Sequence, residues 1–319
     1  MQAARLEWRR IYIVIVVLLA GAGSVWVRAA DAGAPSNEDL RHVRAIAEPQ
    51  VSPDGSRVLI RLTDATADGG RHHLWLVDVG ANTARQLTFS PAADKLGEHD
   101  GRWLGDGGNI AFLAKRTEHV QLYRLPMSGG EAHAYDLSVA PVIDDSEAPD
   151  AIPPKKAGDA PANKDHVPLD VEKYEPAPDG NTIAIIAQDP QTPGEKKQKE
   201  AKADAVWVDH DRHGKRLYLL NAESGKLTAV EVAPDIVKVA WTKKSDRLMV
   251  LTEGPNHVGD LGPAMSAWLV DSLNPAHPTQ LKELPATLRG GMWSEDGTRF
   301  FFRAQAGLDA PPGYEDLFV

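Results

Sequence analysis

The sequence contains no cysteine. Disulfides and thiolate-bound metals are therefore excluded. A basic surplus is also missing: 35 Lys and Arg stand against 45 Asp and Glu, a formal net charge of −10. That balance argues against nucleic acid as a partner, because binding phosphates requires clustered cations. The pentapeptide G-x-S-x-G, which sets a nucleophilic serine on a strand-to-helix turn, does not occur. Apolar residues make up 42% of the chain, enough for a core, so global disorder is excluded.

What the chain does contain is a repeat. Val51, Trp103, Pro176, Trp241 and Trp293 hold equivalent positions, at steps of 52, 73, 65 and 52 residues. Each is followed by a tight polar turn and then an apolar run. The turns include Ser52-Pro53-Asp54-Gly55, Pro178-Asp179-Gly180 and Glu295-Asp296-Gly297. Asp-Gly is a hairpin signal, since glycine accepts positive φ without steric cost. A second apolar segment follows each turn, as at residues 73–78, 121–125, 216–221 and 267–271, and then a short final one, as at 84–88 and 226–230. Two hairpins make four strands per repeat, and four-stranded units at this period are propeller blades. The expected fold is all-β: a β-propeller of four-stranded antiparallel blades, with four blades and part of a fifth over residues 48–319. Trp75 and Trp268 also share a repeat position. Recurrence of Trp at equivalent places predicts packing between blades, not a cofactor stack.

The two long steps have visible causes. Residues 144–170 are rich in Pro, Asp and Lys and read as a flexible, solvated insertion between blades. Residues 193–204 carry strong helix formers of mixed charge and read as a short exposed helix, ahead of an edge segment at 205–209. At the N-terminus, Arg5, Arg9 and Arg10 precede an apolar run over 11–20, and Ala30-Asp31-Ala32 fits a cleavage site. This is the pattern of a secretory signal peptide over residues 1–32. The alternative is an uncleaved anchor reaching Val27, which would be the chain's one contact with a membrane. A leader, 33–47, follows, with Ser36 or Asn37 placed to cap a short helix over 38–46. Residues 316–319 match the start of a third strand, so the chain reads as stopping inside its fifth blade, with open edges that could template self-association.

No catalytic, cofactor-binding or metal-ligating residue is expected. His210 and His213 fit no helical zinc spacing and are explained by a polar hairpin turn. His72 and His73 alternate to opposite faces of a strand. Asp144, Asp145 and Glu147 lack the EF-hand spacing.

The signal peptide, Glu38-Asp39-Leu40 ahead of residues 50–55, the segment 73–78 running into 85–88, and the charged insertion at 195–200 ahead of 206–209 and 216–220 together resemble the N-terminal propeller of the prolyl oligopeptidase family of serine peptidases. The nearest branch is that of acylaminoacyl and dipeptidyl peptidases. The resemblance implies a substrate-gating propeller in a periplasmic or secreted enzyme that hydrolyses peptides. The catalytic triad would lie on an α/β-hydrolase domain that is not in this chain, and peptide substrates would be met through that domain. The adjacent glutamate pair that dipeptidyl peptidases use for the substrate amine is missing. The alternative reading is a TolB-like periplasmic binding propeller without enzymatic activity.

Overall fold

The computed structural model describes residues 35–90, 94–140, 166–190, 213–233, 235–254, 265–282, 284–285, 288–305 and 315–319. The expected signal peptide, the helix at 193–204, the segment 205–209, His210 and the acidic residues 144–147 lie outside these. Two units are distinguished, one ending at His42 and one over Val43–Val319.

In the first unit, Ser36 caps the short helix α1 (Asn37–Arg41) through a capping box. Its hydroxyl accepts from Asp39 N (3.1 Å), and the Asp39 carboxylate accepts from Ser36 N (2.8 Å). The helix ends at Arg41, short of the expected 46, because residues 45–51 form a strand instead. Among the described residues no helix is long and apolar enough to cross a membrane.

The second unit is a series of antiparallel sheets met in chain order. Blade 1 contains β1 (Ala45–Val51), β2 (Arg57–Thr63), β3 (His72–Asp78) and β4 (Thr83–Gln86). Blade 2 contains β5 (His99–Leu104), β6 (Asn109–Ala114), β7 (Gln121–Pro126) and β8 (His133–Ala134). A two-stranded pair, β9 (Ser138–Val139) and β10 (Val167–Pro168), comes next. Blade 3 contains β11 (Val171–Pro176), β12 (Thr182–Gln188), β13 (Lys215–Asn221) and β14 (Leu227–Val230). Blade 4 contains β15 (Ile236–Trp241), β16 (Arg247–Glu253), β17 (Met265–Asp271) and β18 (Thr279–Leu281). Blade 5 contains β19 (Arg289–Trp293), β20 (Phe300–Ala304) and β21 (Asp316–Phe318). Each blade is a meander, and blade 5 ends in the third-strand position expected for residues 316–319.

The repeat register is uniform. Val51 pairs with Val58, Trp103 with Ile110, Pro176 with Ile183, Trp241 with Leu248 and Trp293 with Phe300. The third strands repeat too. Trp75, Tyr123, Tyr218, Trp268 and Phe318 lie opposite Ile60, Phe112, Ile185, Val250 and Phe302. Tyr123 and Phe318 stack on the rings they face, with centroids 5.5 Å apart.

The first strands begin earlier than the repeat suggested, at Ala45, His99 and Val171. A β-bulge interrupts the ladder of all five, between Ala47 and Gln50 in β1 and at matching places in the others. An extra residue there breaks the two-residue alternation by which a strand is recognised, so the portion before the bulge does not read as strand. The expected leader is shortened accordingly and ends before Ala45.

The expected 144–170 insertion also loses its last residues to ordered structure. Val167 and Pro168 pair with Val139 and Ser138. Leu169 is fully buried, and its carbonyl accepts from Gln121 Nε2 at 2.6 Å. The Asp170 carboxylate accepts from Val120 N at 2.8 Å. One buried leucine, worth about 1.5–3 kcal/mol, and these backbone partners hold the neck of the insertion against blade 2. The rest of it, through residue 165, lies outside the described residues.

Consecutive blades share one apolar layer. Leu59 and Leu74 of blade 1 meet Ile110, Phe112 and Tyr123 of blade 2. Ala111, Leu113 and Leu122 meet Ile183, Ile185 and Tyr218. Ala184, Ile186 and Leu217 meet Leu248, Val250 and Val270, and Met249 and Leu251 meet Phe302 and Ala304. The second strand of blades 2–4 is therefore apolar on both faces, as a strand sandwiched between two sheets must be. At the ends of the series, Ile46, Val51, Met292, Leu317 and Val319 are exposed.

The first hairpin of each blade turns on a residue at positive φ: Gly55, Gly107, Gly180, Ser245 and Gly297. Two of them differ in surroundings. A Cβ on Gly55 would meet nothing within 4 Å, whereas one on Gly180 would stand 2.3 Å from Gly105 N in blade 2. Gly55→Ala is expected to cost only the left-handed backbone penalty, about 1–2 kcal/mol. Gly180→Ala should cost about 2–5 kcal/mol, since it also forces two backbones apart. Urea denaturation of the two variants checks this, and equal costs would contradict the close approach.

Asp54 and Asp296 hold the same turns. The Asp54 carboxylate accepts from Ser52 Oγ (2.5 Å), Ser56 N (3.1 Å) and Ser56 Oγ (2.8 Å), and Asp296 accepts from Ser294 and Thr298 in the same way. These donors, the Ser52 and Ser294 hydroxyls foremost, lower both carboxyls from 3.8 to about 2. A pKa depressed in the folded state gives stability that is present above the unfolded value and lost as pH falls through the folded one. The melting temperature should therefore fall more steeply between pH 4 and pH 2 in the parent than in a double Asp54→Asn, Asp296→Asn variant. Parallel curves would show that these turns do not titrate with folding.

Candidate functional site

Three of the recurring tryptophans join neighbouring sheets through their indole N–H. Trp103 Nε1 donates to Gln50 O (3.0 Å), Trp241 Nε1 to Glu175 O (3.0 Å) and Trp293 Nε1 to Ala240 O (2.9 Å). Each acceptor is the residue just before the equivalent position of the preceding blade. The guanidinium carbons of Arg57 and Arg247 lie 5.7 Å from the ring centroids of Trp103 and Trp293 in the next blade. The expectation that these tryptophans pack between blades is met. Trp268 instead donates within its own blade, to Thr252 Oγ1 at 3.3 Å, and the indole N–H of Trp75 is buried without a partner among the described residues.

Blade 3 carries Pro176 where blades 2, 4 and 5 carry Trp, so it has no indole at this position to offer blade 2. Tyr174 takes over. It is buried on β11, and its hydroxyl reaches two carbonyls of blade 2, Asp100 O and Ala111 O, the latter at 2.8 Å. Burial, the largest influence, pushes this phenol well above its ordinary pKa, so it stays a donor.

These contacts bring the bulges of the first strands together. The first strands of adjacent sheets touch, β1 with β5 and β15 with β19, as expected of the strands nearest a propeller axis. Glu48, Asp100, Lys173, Lys238 and Gly290 share one repeat position at the bulge. Two residues later stand Gln50, Arg102, Glu175, Ala240 and Met292. The charges fall unevenly: acidic in blades 1 and 2 at the first position, basic in blades 3 and 4.

The acidic members are paired. Glu48 Oε1 lies 2.8 Å from Arg61 Nε, and Glu48 Oε2 accepts from Asp100 N at 3.0 Å. Asp100 lies 2.8 Å from His99 Nδ1, and this hydrogen bond lowers its pKa despite burial. Glu172, beside the bulge of β11, pairs with Lys215 at 2.7 Å. The side chains of Arg102, Lys173 and Lys238 make no ion pair or hydrogen bond with any described residue. They border a cleft of about 380 Å³ over blades 2, 3 and 4, together with Tyr174 and the acids Asp100, Glu172 and Glu175. Glu175 is half-buried there. Burial raises its pKa, and the charges of Arg102 and Lys238 offset this only in part.

A second polar cluster lies between blades 1 and 2. His73 Nδ1 is 3.2 Å from Glu98 and His73 Nε2 is 3.2 Å from Asp64. Glu98, fully buried, also accepts from Arg116 (2.9 Å) and Thr88 Oγ1 (3.1 Å). His72 points elsewhere, to Thr63 Oγ1 at 3.0 Å. The two histidines share no ligand, as alternation predicted, and His73 is tied up by carboxylates. Among the described residues no group of His, Asp and Glu could hold a metal ion.

Reasoning from the sequence missed the cleft. Its signal lay in the repeat alignment, where Lys173 and Lys238 occupy one position and Arg102 and Glu175 another, but the bulges concealed that alignment.

No family model and no curated protein matches the chain. Solved structures do. An acylaminoacyl peptidase of Pyrococcus horikoshii aligns at TM-score 0.56 and 12% identity, over 87% of this chain and 38% of that one. The β-propeller domain of the trilobed protease of Pyrococcus furiosus, described as having an open velcro topology, aligns at 0.53 and 10%, over 86% and 67%. An oligogalacturonate lyase in complex with manganese aligns at 0.53 and 14%, over 82% and 60%. The chain thus has the propeller fold of these proteins and spans 38% of the length of the acylaminoacyl peptidase.

The Tyr174 clamp is open to test. Tyr174→Phe should cost about 1–3 kcal/mol in chemical denaturation, because a buried and a part-buried carbonyl lose their shared donor. A change below about 0.5 kcal/mol, within the range of ordinary surface substitutions, would show that the hydroxyl does not hold blade 3 to blade 2.

Proposed function

We propose that this chain is the substrate-gating propeller of a periplasmic or secreted serine peptidase of the prolyl oligopeptidase kind. The observation that carries the reading is the alignment of 87% of the chain with an acylaminoacyl peptidase that is itself much longer. The signal-peptide pattern at residues 1–32 and the placement of the insertions after blade 2 and within blade 3 support it. In this reading peptides are hydrolysed by a separate α/β-hydrolase domain, and the propeller restricts which of them reach it. The chain supplies no nucleophile of its own, because a serine hydroxyl outside an activating arrangement is a weak one.

The test uses a fluorophosphonate probe, which labels activated serines. The 319-residue chain alone should not label and should not cleave peptidyl anilides. The protein purified from its source should label at a serine within a G-x-S-x-G turn and should cleave them. Absence of any labelled serine in the native protein, with activity also missing, would overturn the peptidase reading in favour of a binding propeller.

A further inference from the structure

Three cations, Arg102, Lys173 and Lys238, share one cleft with three carboxylates, Asp100, Glu172 and Glu175. Lys173 and Lys238 are exposed, and unpaired lysines at a surface are ordinary. Arg102 is not ordinary. It is half-buried on β5, carries five fixed N–H donors, and its side chain makes no ion pair or hydrogen bond with a described residue. The one acid that feels both Arg102 and Lys238 is Glu175, and it forms a salt bridge with neither. The other two acids of the lining are held by other partners, Asp100 by His99 and Glu172 by Lys215, although Asp100 also feels the charge of Arg102. The lining acids thus leave the three cations without a direct ion pair, and an added anion would supply one while satisfying the guanidinium.

We propose that the cleft between blades 2, 3 and 4 binds a carboxylate group, held by Arg102 with Lys238 and Lys173 around it. A volume of about 380 Å³ falls at the small end of ligand-sized pockets, which suits one terminal residue of a peptide or a small organic acid. Arg102 offers the planar fork that matches a carboxylate, and the lysines contribute as point charges. The wall on the blade 4 side includes Val237 and Val239, which gives an apolar surface for the carbon skeleton next to the charged group. Glu175 acts as the competitor. Its pKa is raised by burial, so as pH falls through its range it becomes neutral and stops opposing the bound anion. Binding therefore tightens toward acid until the ligand itself protonates. This inference is independent of the peptidase reading, since a carboxylate site is measurable on the chain whether or not a hydrolase domain belongs to it.

The experiment is calorimetric titration of the full 319-residue chain with three probes: N-acetyl-trialanine, its C-terminal amide, and succinate. The free acid of the peptide should bind at least ten-fold more tightly than the amide. Lys238→Gln and Arg102→Gln should each weaken it by ten-fold or more. Lys238 is exposed, so its variant is expected to fold even where Arg102→Gln does not. Glu175→Gln should strengthen binding at neutral pH and flatten its dependence on pH, a gain that a misfolded variant cannot produce. Succinate binding as tightly as the peptide acid assigns the site to free organic acids, and a preference for the peptide assigns it to a chain terminus. Equal binding of acid and amide, no binding of either acid, or unchanged affinity in Lys238→Gln would each overturn the proposal. None of these results bears on fluorophosphonate labelling.

Discussion

The fold depends on one constraint: the second strand of each inner blade is apolar on both faces and can be buried only by a sheet on either side. Ile110 and Phe112 turn to blade 1 while Ala111 and Leu113 turn to blade 3, and every one of them is fully buried. No single blade can hide such a strand, so stability is a property of neighbours and is built interface by interface. A four-stranded sheet standing alone would leave one of those faces in water.

Apolar layers set spacing but not register, because they are non-directional. The polar links supply direction. An indole N–H aimed at one carbonyl of the preceding blade fixes where the first strand lies along its neighbour, and it does so three times with nearly the same length. Blade 3 shows that the requirement is for a donor at this place, not for tryptophan. With Pro176 at the repeat position, Tyr174 reaches the same region of blade 2 from two residues earlier, and the close approach of Gly180 to Gly105 becomes available. The Ser245 hydroxyl, accepting from Asp179 N at 3.0 Å, adds a similar tie between blades 3 and 4.

The bulges connect this scaffold to its candidate site. A bulge re-aims side chains and unpairs one residue of a ladder, and here it recurs in every first strand. The residues set there vary from blade to blade while the surrounding frame repeats. Chemistry can thus change at the inner strands without disturbing the layers between blades. The acids of blades 1 and 2 are held by His99 and Arg61, whereas the side chains of the cations around the cleft make no ion pair with a described residue.

By itself the sequence determined the repeat. Turn chemistry and strand alternation are local, and so the hairpin at each Asp-Gly, the third-strand aromatics and the third strand of blade 5 were all legible from residue types at fixed offsets. The helix N-cap was legible as Ser36 or Asn37 for the same reason, and the structure decided for Ser36, although the extent of the helix was not legible. What only the tertiary structure decided is what those residues face. Nothing in the spacing of Trp241 names Glu175 O as its acceptor, and nothing local distinguishes Leu169, held at the neck of an insertion, from the polar residues before it. The extended first strands escaped notice because a bulge erases the period by which strands are read. The cleft escaped because Arg102, Tyr174 and Lys238 lie far apart along the chain, and only the stacking of three sheets brings them to one place.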